Sequence, residues 1–554
     1  MIAPTRQESP SFRAADAQRW TIPERFRDAV ARDPDRAFVI DETRRLSLAE
    51  LATEAARWQQ RLSDRGIRVG SLVAVQLPNW WETLAVVYAA WGLGATVNLL
   101  TPIYRDRDLQ VLFEMLPPDA VVAPDEHRGT DHATMIRDVL RRGSIAAPVL
   151  AVRAAGDHVG AGADIGAEDL EPVTAADYRG VAADPDEVCM LMYTSGTTGR
   201  PKGVLHTHRS LLVEAQSIAD TFSLAGERVF MPSPVTHVTG LLYGMIMPVL
   251  TDGGVVLLDR WSPETALQQI EADGCTITVA ATPFLRGLAD AYAQTGTPSA
   301  LRHFLCGGAE IPAALIEEAE RTMGTEISRT YGSTEFPTLC TVHPGAAPEI
   351  RHRTDGTPIG EARARIAGGA AVGTGELEVL GPEMFAGYLD PSDNTDAFTA
   401  DGWFRTGDLA TLDANGAVTI VGRVKDLIIR GGENISAKEV EDLLLQFEEV
   451  RDAAVVGYPD DVMGERVCAV VVSDDAELRL ERVLRGLTEL GVARQKVPEA
   501  LLLVEDLPRT ASGKVQKFAL RARVRAALDA GAIETRIPTQ RAAARVDPSP
   551  RTTE

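Results

Sequence analysis

Apolar residues are spaced in two ways along the chain. Short β-branched runs, LVAVQL (72–77), VVAP (121–124), GVVLLD (254–259) and TITVAA (276–281), alternate with longer segments such as Ser47–Leu62, where apolar residues recur at helical spacing. That alternation predicts an α/β fold whose large N-terminal part holds largely parallel, buried sheets with flanking helices. From about Glu376 the texture changes to short strands and tight turns, GELEVL and DANGAVTIVGR. A smaller segment follows from about Lys425 to Ala530, with a helix-like AKEVEDLLLQF (437–447) and the strand-like runs DAAVVGYP (452–459) and VCAVVVS (467–473). The charged, Gly-led junction Gly422-Arg423-Val424-Lys425-Asp426 lies between these parts and reads as a hinge. The expected division is therefore 1–422, 423–535 as a small mobile α+β domain, and 536–554 as a disordered tail rich in Arg, Pro, Ser and Thr.

Composition narrows the function. A chain of 554 residues exceeds one compact core, and a net charge of −23 disfavours nucleic acid or an anionic membrane as partner. Any bound polyanion must then meet a local concentration of N–H donors with Lys or Arg. The five cysteines show no CxxC spacing, so neither a zinc site nor a disulfide framework is expected. Leu84–Leu100 and Val238–Leu250 are apolar but short or interrupted by Gly and Pro, and read as buried elements rather than membrane spans. The first twenty residues lack an apolar signal-peptide core, and a cytoplasmic location is the default expectation.

One loop dominates the candidate chemistry. After the strand-like EVCMLM (187–192) comes Tyr193-Thr194-Ser195-Gly196-Thr197-Thr198-Gly199-Arg200-Pro201-Lys202-Gly203. Hydroxyls, glycines and one lysine supply what a phosphate chain needs: closely approaching backbone N–H groups, side-chain donors and a fixed positive charge. It is not a Walker A loop, because Lys202 is flanked by Pro201 and Gly203 rather than by Gly and Ser or Thr. Further candidates follow in Gly307-Gly308-Ala309-Glu310, Tyr331-Gly332-Ser333-Thr334-Glu335, Gly402-Trp403-Phe404-Arg405-Thr406-Gly407-Asp408, Gly431-Gly432-Glu433-Asn434 and Pro508-Arg509-Thr510-Ala511-Ser512-Gly513-Lys514. Glu335 offers a hard oxygen suited to Mg²⁺ and Thr334 a hydroxyl for phosphate. Asp408, in a loop after an aromatic pair, offers a pair of acceptor oxygens, against the plainer possibility of a turn or helix-cap residue.

These motifs, in this order, resemble the signature of the adenylate-forming superfamily of acyl-CoA synthetases, aryl-CoA ligases, luciferases and peptide-synthetase adenylation domains. The resemblance implies ATP, Mg²⁺ and coenzyme A as partners of a small-molecule acid. It implies nucleotide contacts from Thr194, Ser195, Gly196, Thr197, Thr198, Gly199, Lys202, Gly308, Ala309, Glu310, Tyr331, Gly332, Thr334, Asp408 and Arg423, and a metal at Glu335. Lys514 matches the family's catalytic lysine, Lys425 its hinge, and Gly431 and Gly432 its coenzyme A tunnel. The family uses two domain arrangements, the first served by Lys514 and the second by the Gly431-Gly432 loop.

The acid is indicated by other positions. His237, in Pro234-Val235-Thr236-His237-Val238-Thr239-Gly240, matches an acyl-CoA and aryl-CoA ligase position beside the carboxylate, against the alternative of a histidine packed in the core. Amino-acid-activating relatives carry an Asp near here to pair with the amine, and none is present. The family's pocket positions fall on Thr239, Tyr243, Leu305, Gly308, Thr330, Gly332 and Thr338, which offer no countercharge and imply a hydrophobic acid. QLPNWWE (76–82), TPIYRDRDL (101–109) and SPVTHVTGLLYG (233–244) resemble cyclohexanecarboxylate-CoA ligases, implying an alicyclic or medium-chain acid. Two other readings stay open: an adenylating enzyme that loads a carrier protein or stops at the adenylate, and a catalytically idle ligand-binding relative. A homodimer is open as well.

Overall fold

A computed structural model describes residues 2, 19–153, 173–181, 183–194, 201–308, 311–430, 433–460, 463–490, 492, 494, 496–509 and 515–535. The chain divides into two compact units: one of residues 1–372, 378–406 and 412–419, the other of 373–377, 407–411 and 420–554.

In the first unit, the run Arg228–Met231 pairs in parallel with both Gly254–Leu257 and Ile277–Ala280. The sheet continues in parallel through His303–Cys306 to Glu326–Tyr331. Successive side chains of a strand point to opposite faces, and here both faces are buried. Val229, Met231, Val255, Leu257, Ile277, Val279 and Leu305 join one core cluster. Phe230, Val256, Ala280, Phe304 and Cys306 join another, with the helices Pro263–Asp273, Thr282–Thr295 and Ala313–Met323. A second sheet runs Lys202–Thr207, Val188–Thr194, Thr96–Leu99, Leu72–Val75, Ala120–Pro124 and Val149–Val152, parallel except for its first pair. The first core cluster draws on both sheets and on the helices Trp81–Gly92 and His208–Phe222, which therefore form a layer between them.

The apolar runs thus form buried strands, and Leu84–Leu100 resolves into the end of a wholly buried helix and a strand. The helix predicted over Ser47–Leu62 spans Leu48–Asp64, with Ser47 and Glu50 forming a capping box that fixes its start. No helix among the described residues is long and apolar enough to cross a membrane.

The second unit repeats this logic on a smaller scale. Val450–Asp460 and Gly464–Ser473 form a long antiparallel pair. Val455, Val467, Ala469 and Val471 pack with the helices Ala437–Leu444 and Leu480–Glu489 on one face. Ala454, Val456, Cys468, Val470 and Val472 pack with Lys517–Ala530 on the other. The helix expected over 437–447 ends at Leu444, where the chain turns toward the strand beginning at Val450.

Candidate functional site

The parallel strands of the first unit set the candidate residues side by side. Beyond the carboxyl ends of Arg228–Met231, His303–Cys306 and Glu326–Tyr331 come Pro234–His237, Gly307-Gly308 and Gly332–Glu335. The carboxyl edge of a parallel sheet is where open α/β folds bind ligands, because loops diverge there and leave a crevice. Gly332 is required by close approach, since a Cβ there would lie 1.8 Å from the Pro337 carbonyl oxygen. Thr330 is anchored by its hydroxyl, which donates to the Cys340 carbonyl at 3.2 Å. His237 is only partly buried, although Val235, Thr236 and Val238 beside it are buried.

Thr194 and Lys202 face each other across an antiparallel pair. The loop between them, including Ser195, Gly196, Thr197, Thr198 and Gly199, lies outside the described residues, as do Ala309, Glu310, Gly431, Gly432 and Lys514. The strand that begins with Lys202 is tied to the Thr334–Glu335 segment by buried His206, whose Nε2 donates to the Thr334 carbonyl at 2.7 Å. Ser210 holds the other ring nitrogen at 2.9 Å. The Lys202 ammonium lies 3.3 Å from the Asp393 carboxylate and 4.6 Å from the centre of the Tyr388 ring. The Tyr388 hydroxyl donates to Glu335 Oε1 at 2.8 Å.

Among the pocket positions, Leu305 and Tyr243 belong to the same buried cluster, and Thr338 is buried as well. Tyr243 sits on a π-helical turn, Leu242–Ile246, a distortion often found at functional sites because it re-aims side chains. Its hydroxyl bonds to Thr338 and donates to Glu214 Oε1 at 3.1 Å. Glu214 and Glu383 are both buried, and the Glu383 carboxylate accepts from the Ser217 hydroxyl at 3.1 Å. Burial, then the nearby Glu383 carboxyl, pushes Glu214 up to about 8. Burial likewise raises Glu383 to about 7. The Tyr243–Thr338 pair is thus backed by a carboxyl that keeps its proton at neutral pH.

A pH dependence follows. Below the ordinary glutamate value, folded and unfolded chains both hold these protons. Above it, the folded chain keeps protons that the unfolded chain has released, so stability falls as pH rises until about 8, where Glu214 titrates in the folded state. Glu214→Gln keeps a neutral hydrogen-bonding group there. Its advantage over the parent is expected to be small near pH 5 and to grow, on the order of a few kcal/mol, toward pH 8. Melting temperatures across that range check it, and parallel curves for the two proteins would contradict it.

In the second unit, Asp408 is buried within the strand Phe404–Leu412, not in a loop as expected. From Asp408 on, alternate residues Asp408, Ala410 and Leu412 are buried, and the segment runs as a strand despite the positive φ of Gly407. This excludes the turn and helix-cap alternatives. Arg423 Nε lies 2.9 Å from Asp408 Oδ1, bringing two nucleotide candidates together. Such a pairing fixes the carboxylate's orientation. Lys425 is exposed on the short 3₁₀ turn Val424–Asp426, whose Asp426 is held by Arg521 at 3.0 Å.

Sequence reasoning missed His206, Glu214, Tyr388 and Asp393. Glu214 was legible as a carboxylate on the apolar stripe of Leu211, Ala215 and Ile218. Tyr388 and Asp393 lie in an irregular segment with no periodic signal, and only the fold brings them to Lys202.

Comparison with known proteins agrees with this arrangement. Residues 26–389 match the AMP-binding enzyme family, and residues 439–514 match the AMP-binding enzyme C-terminal domain. The chain is 34% identical over 490 residues to a medium-chain fatty-acid–CoA ligase of Escherichia coli K12, covering 86% of this chain and 84% of that one. It is 34% identical over 512 residues to a salicylyl-CoA synthase/salicylate adenylyltransferase of a Streptomyces species, covering 89% and 92%. Among solved structures, ATP-bound MatB from Rhodopseudomonas palustris superposes with a TM-score of 0.78 at 27% identity, covering 91% of this chain and 99% of that one. The Bacillus subtilis o-succinylbenzoate CoA synthetase with its acyl-adenylate gives 0.77 at 26% identity, covering 90% and 97%. With strand-end loops of this geometry and matches over both parts of the chain, the protein belongs to the AMP-binding enzyme family, within the adenylate-forming superfamily of AMP-forming acid–CoA ligases.

Proposed function

We propose that this enzyme adenylates a hydrophobic carboxylic acid, alicyclic or of medium chain length, and transfers the acyl group to coenzyme A. The observation that carries the choice of acid is the neutral character of the pocket positions. Leu305, Tyr243 and Thr338 carry no charge, and the carboxyl behind them, Glu214, holds its proton. A second charged group on the acid would lose its hydration there without a counter-ion, a cost of several kcal/mol. The similarity to a medium-chain fatty-acid–CoA ligase supports the same reading.

In the first step an oxygen of the acid attacks the α-phosphorus of ATP, forming a mixed anhydride and expelling pyrophosphate. Two anions must meet, so the residues chiefly neutralise charge and align the reactants. Lys202 and the hydroxyl-rich loop before it hold the phosphates. His237 borders the reacting carboxylate. Asp408, oriented by Arg423, takes the ribose hydroxyls, and Lys514 bridges the carboxylate and the α-phosphate.

The residues present fit a magnesium ion. Glu335 has one oxygen engaged by Tyr388, leaving the other for a cation. The described residues contain no group of three or more His, Cys, Asp or Glu able to hold a metal alone. A magnesium ion is commonly bound by one or two carboxylates together with substrate phosphates. When bound, Mg²⁺ supplies charge neutralisation on the triphosphate.

In the second step a thiol attacks the adenylate carbonyl and AMP leaves. Residues 423–535 then act as a mobile domain about Lys425, with Gly431 and Gly432 beside the incoming thiol. Transfer to a carrier protein, or arrest at the adenylate, is the second reading; the similarity to a protein named both as a CoA synthase and as an adenylyltransferase favours keeping it.

A panel of acids assayed for pyrophosphate release, with and without coenzyme A, tests the proposal. Alicyclic and medium-chain acids should give the highest kcat/KM, and dicarboxylic acids of equal length the lowest. Preference for a dicarboxylic acid would contradict the neutral pocket.

A further inference from the structure

The segment Phe385–Asn394 passes between the strand that starts at Lys202 and the loop that ends at Glu335, and it touches both. Its backbone is stitched to the strand: Ala386 N–H donates to the Leu205 carbonyl at 2.7 Å, Leu205 N–H to Gly387 at 3.1 Å, and Leu389 N–H to Gly203 at 2.7 Å. The fit is close, since a Cβ on Gly203 would lie 2.8 Å from Leu389 Cβ. On the other side, Phe385 N–H donates to the Glu335 carbonyl at 2.9 Å. Two side chains of the segment then reach the two charged groups. Buried Tyr388 gives its hydroxyl to Glu335 Oε1 and its ring to the Lys202 ammonium, within cation–π range. Asp393, on the 3₁₀ turn Pro391–Asn394, gives its carboxylate to the same ammonium. The Tyr388 backbone is fixed in turn, its N–H donating to Asn394 Oδ1 at 2.9 Å.

We propose that Tyr388 and Asp393 are positioning residues for the nucleotide site: Tyr388 sets the carboxylate of Glu335 and the place of Lys202, and Asp393 parks Lys202 until a triphosphate takes it. This rests on the assignment of Lys202 and Glu335 to that site. A hydroxyl donated to one carboxylate oxygen turns the other toward a cation. The Lys202–Asp393 pair is about one-third exposed on each side, 28% and 32%, and an ion pair this exposed is weak. A triphosphate therefore displaces Asp393 readily, while Tyr388, being neutral, stays beneath the ammonium. Without Asp393, a lysine held in place over the ring would be available to phosphate from the start.

Four variants of the full chain test this. Asp393→Asn removes the competing charge, and its dissociation constant for ATP, read by calorimetry, is expected to fall about two- to five-fold. Tyr388→Phe keeps the ring and removes the hydroxyl. Its ATP affinity should stay within about two-fold of the parent. Its midpoint for Mg²⁺, in calorimetry and in pyrophosphate release, should rise by about ten-fold. Tyr388→Leu should add a loss of ATP affinity, because Lys202 loses its platform. A tyrosine that only filled space would lower stability without moving the Mg²⁺ midpoint. Unchanged ATP affinity in Asp393→Asn together with an unchanged Mg²⁺ midpoint in Tyr388→Phe would overturn the proposal. Glu335→Gln separates the two levels: if it shifts the midpoint and Tyr388→Phe does not, the clamp falls and the metal assignment stands. If Glu335→Gln itself leaves the midpoint unchanged, the assignment beneath both falls.

Discussion

Lys514→Ala should lower the rate of adenylate formation by about 10²–10³-fold, the scale of losing one donor to the charge that develops in a transition state. ATP binding and folding should remain close to those of the parent. Residue 514 lies outside the described residues; on either side of that stretch Arg509 and Val515 form a bridge, and Gln516 N–H donates to the Pro508 carbonyl at 2.7 Å. Arg509 is further held by Asp452 at 2.6 Å. Single-turnover pyrophosphate release checks the rate, and calorimetry with ATP checks the binding. A parent-like rate would remove Lys514 from the mechanism.

Lys425→Pro should divide the two half-reactions. Proline fixes φ and removes the backbone N–H at the proposed pivot, and it also pushes Val424 out of the helical region that the 3₁₀ turn uses. The neighbouring side chains cannot absorb this freely, because Arg521 holds Asp426 and the Ser436 hydroxyl donates to the Val421 carbonyl at 2.6 Å. If the second unit swings about Lys425, a chain trapped in the first arrangement still makes acyl-adenylate from acid and ATP. Thioester formation from pre-made adenylate should fall by about 10²-fold, as expected when reacting groups are misplaced. Equal losses in both steps would indicate general damage, and full thioester formation would refute the pivot.

The fold was largely legible because burial on both faces leaves an unmistakable pattern. Runs such as GVVLLD and VCAVVVS are apolar at nearly every position, which a strand covered on one side does not need to be. The smaller unit was legible for the same reason, its two long strands feeding cores on both sides. Asp408 was expected in a loop after an aromatic pair, whereas the chain continues there as a strand that accommodates the positive φ of Gly407. The charged candidates could be named from motifs, but what surrounds them could not. Tyr388 lies more than fifty positions from Glu335 and far from Lys202, and only the strand pairing around Gly203 places it between them. Glu214 carried a local signal, a carboxylate within an apolar helical stripe, but its partners Tyr243 and Thr338 come from separate elements.

The central claim is that an oxygen of the acid attacks the α-phosphorus of ATP. Acid labelled with oxygen-18 in both carboxyl positions tests it directly, using whichever acid of the panel gives the fastest pyrophosphate release. With ATP and coenzyme A present, mass spectrometry should find one labelled oxygen in AMP, the other in the thioester carbonyl, and none in pyrophosphate. Unlabelled AMP, or label appearing in orthophosphate alongside ADP, would contradict the account.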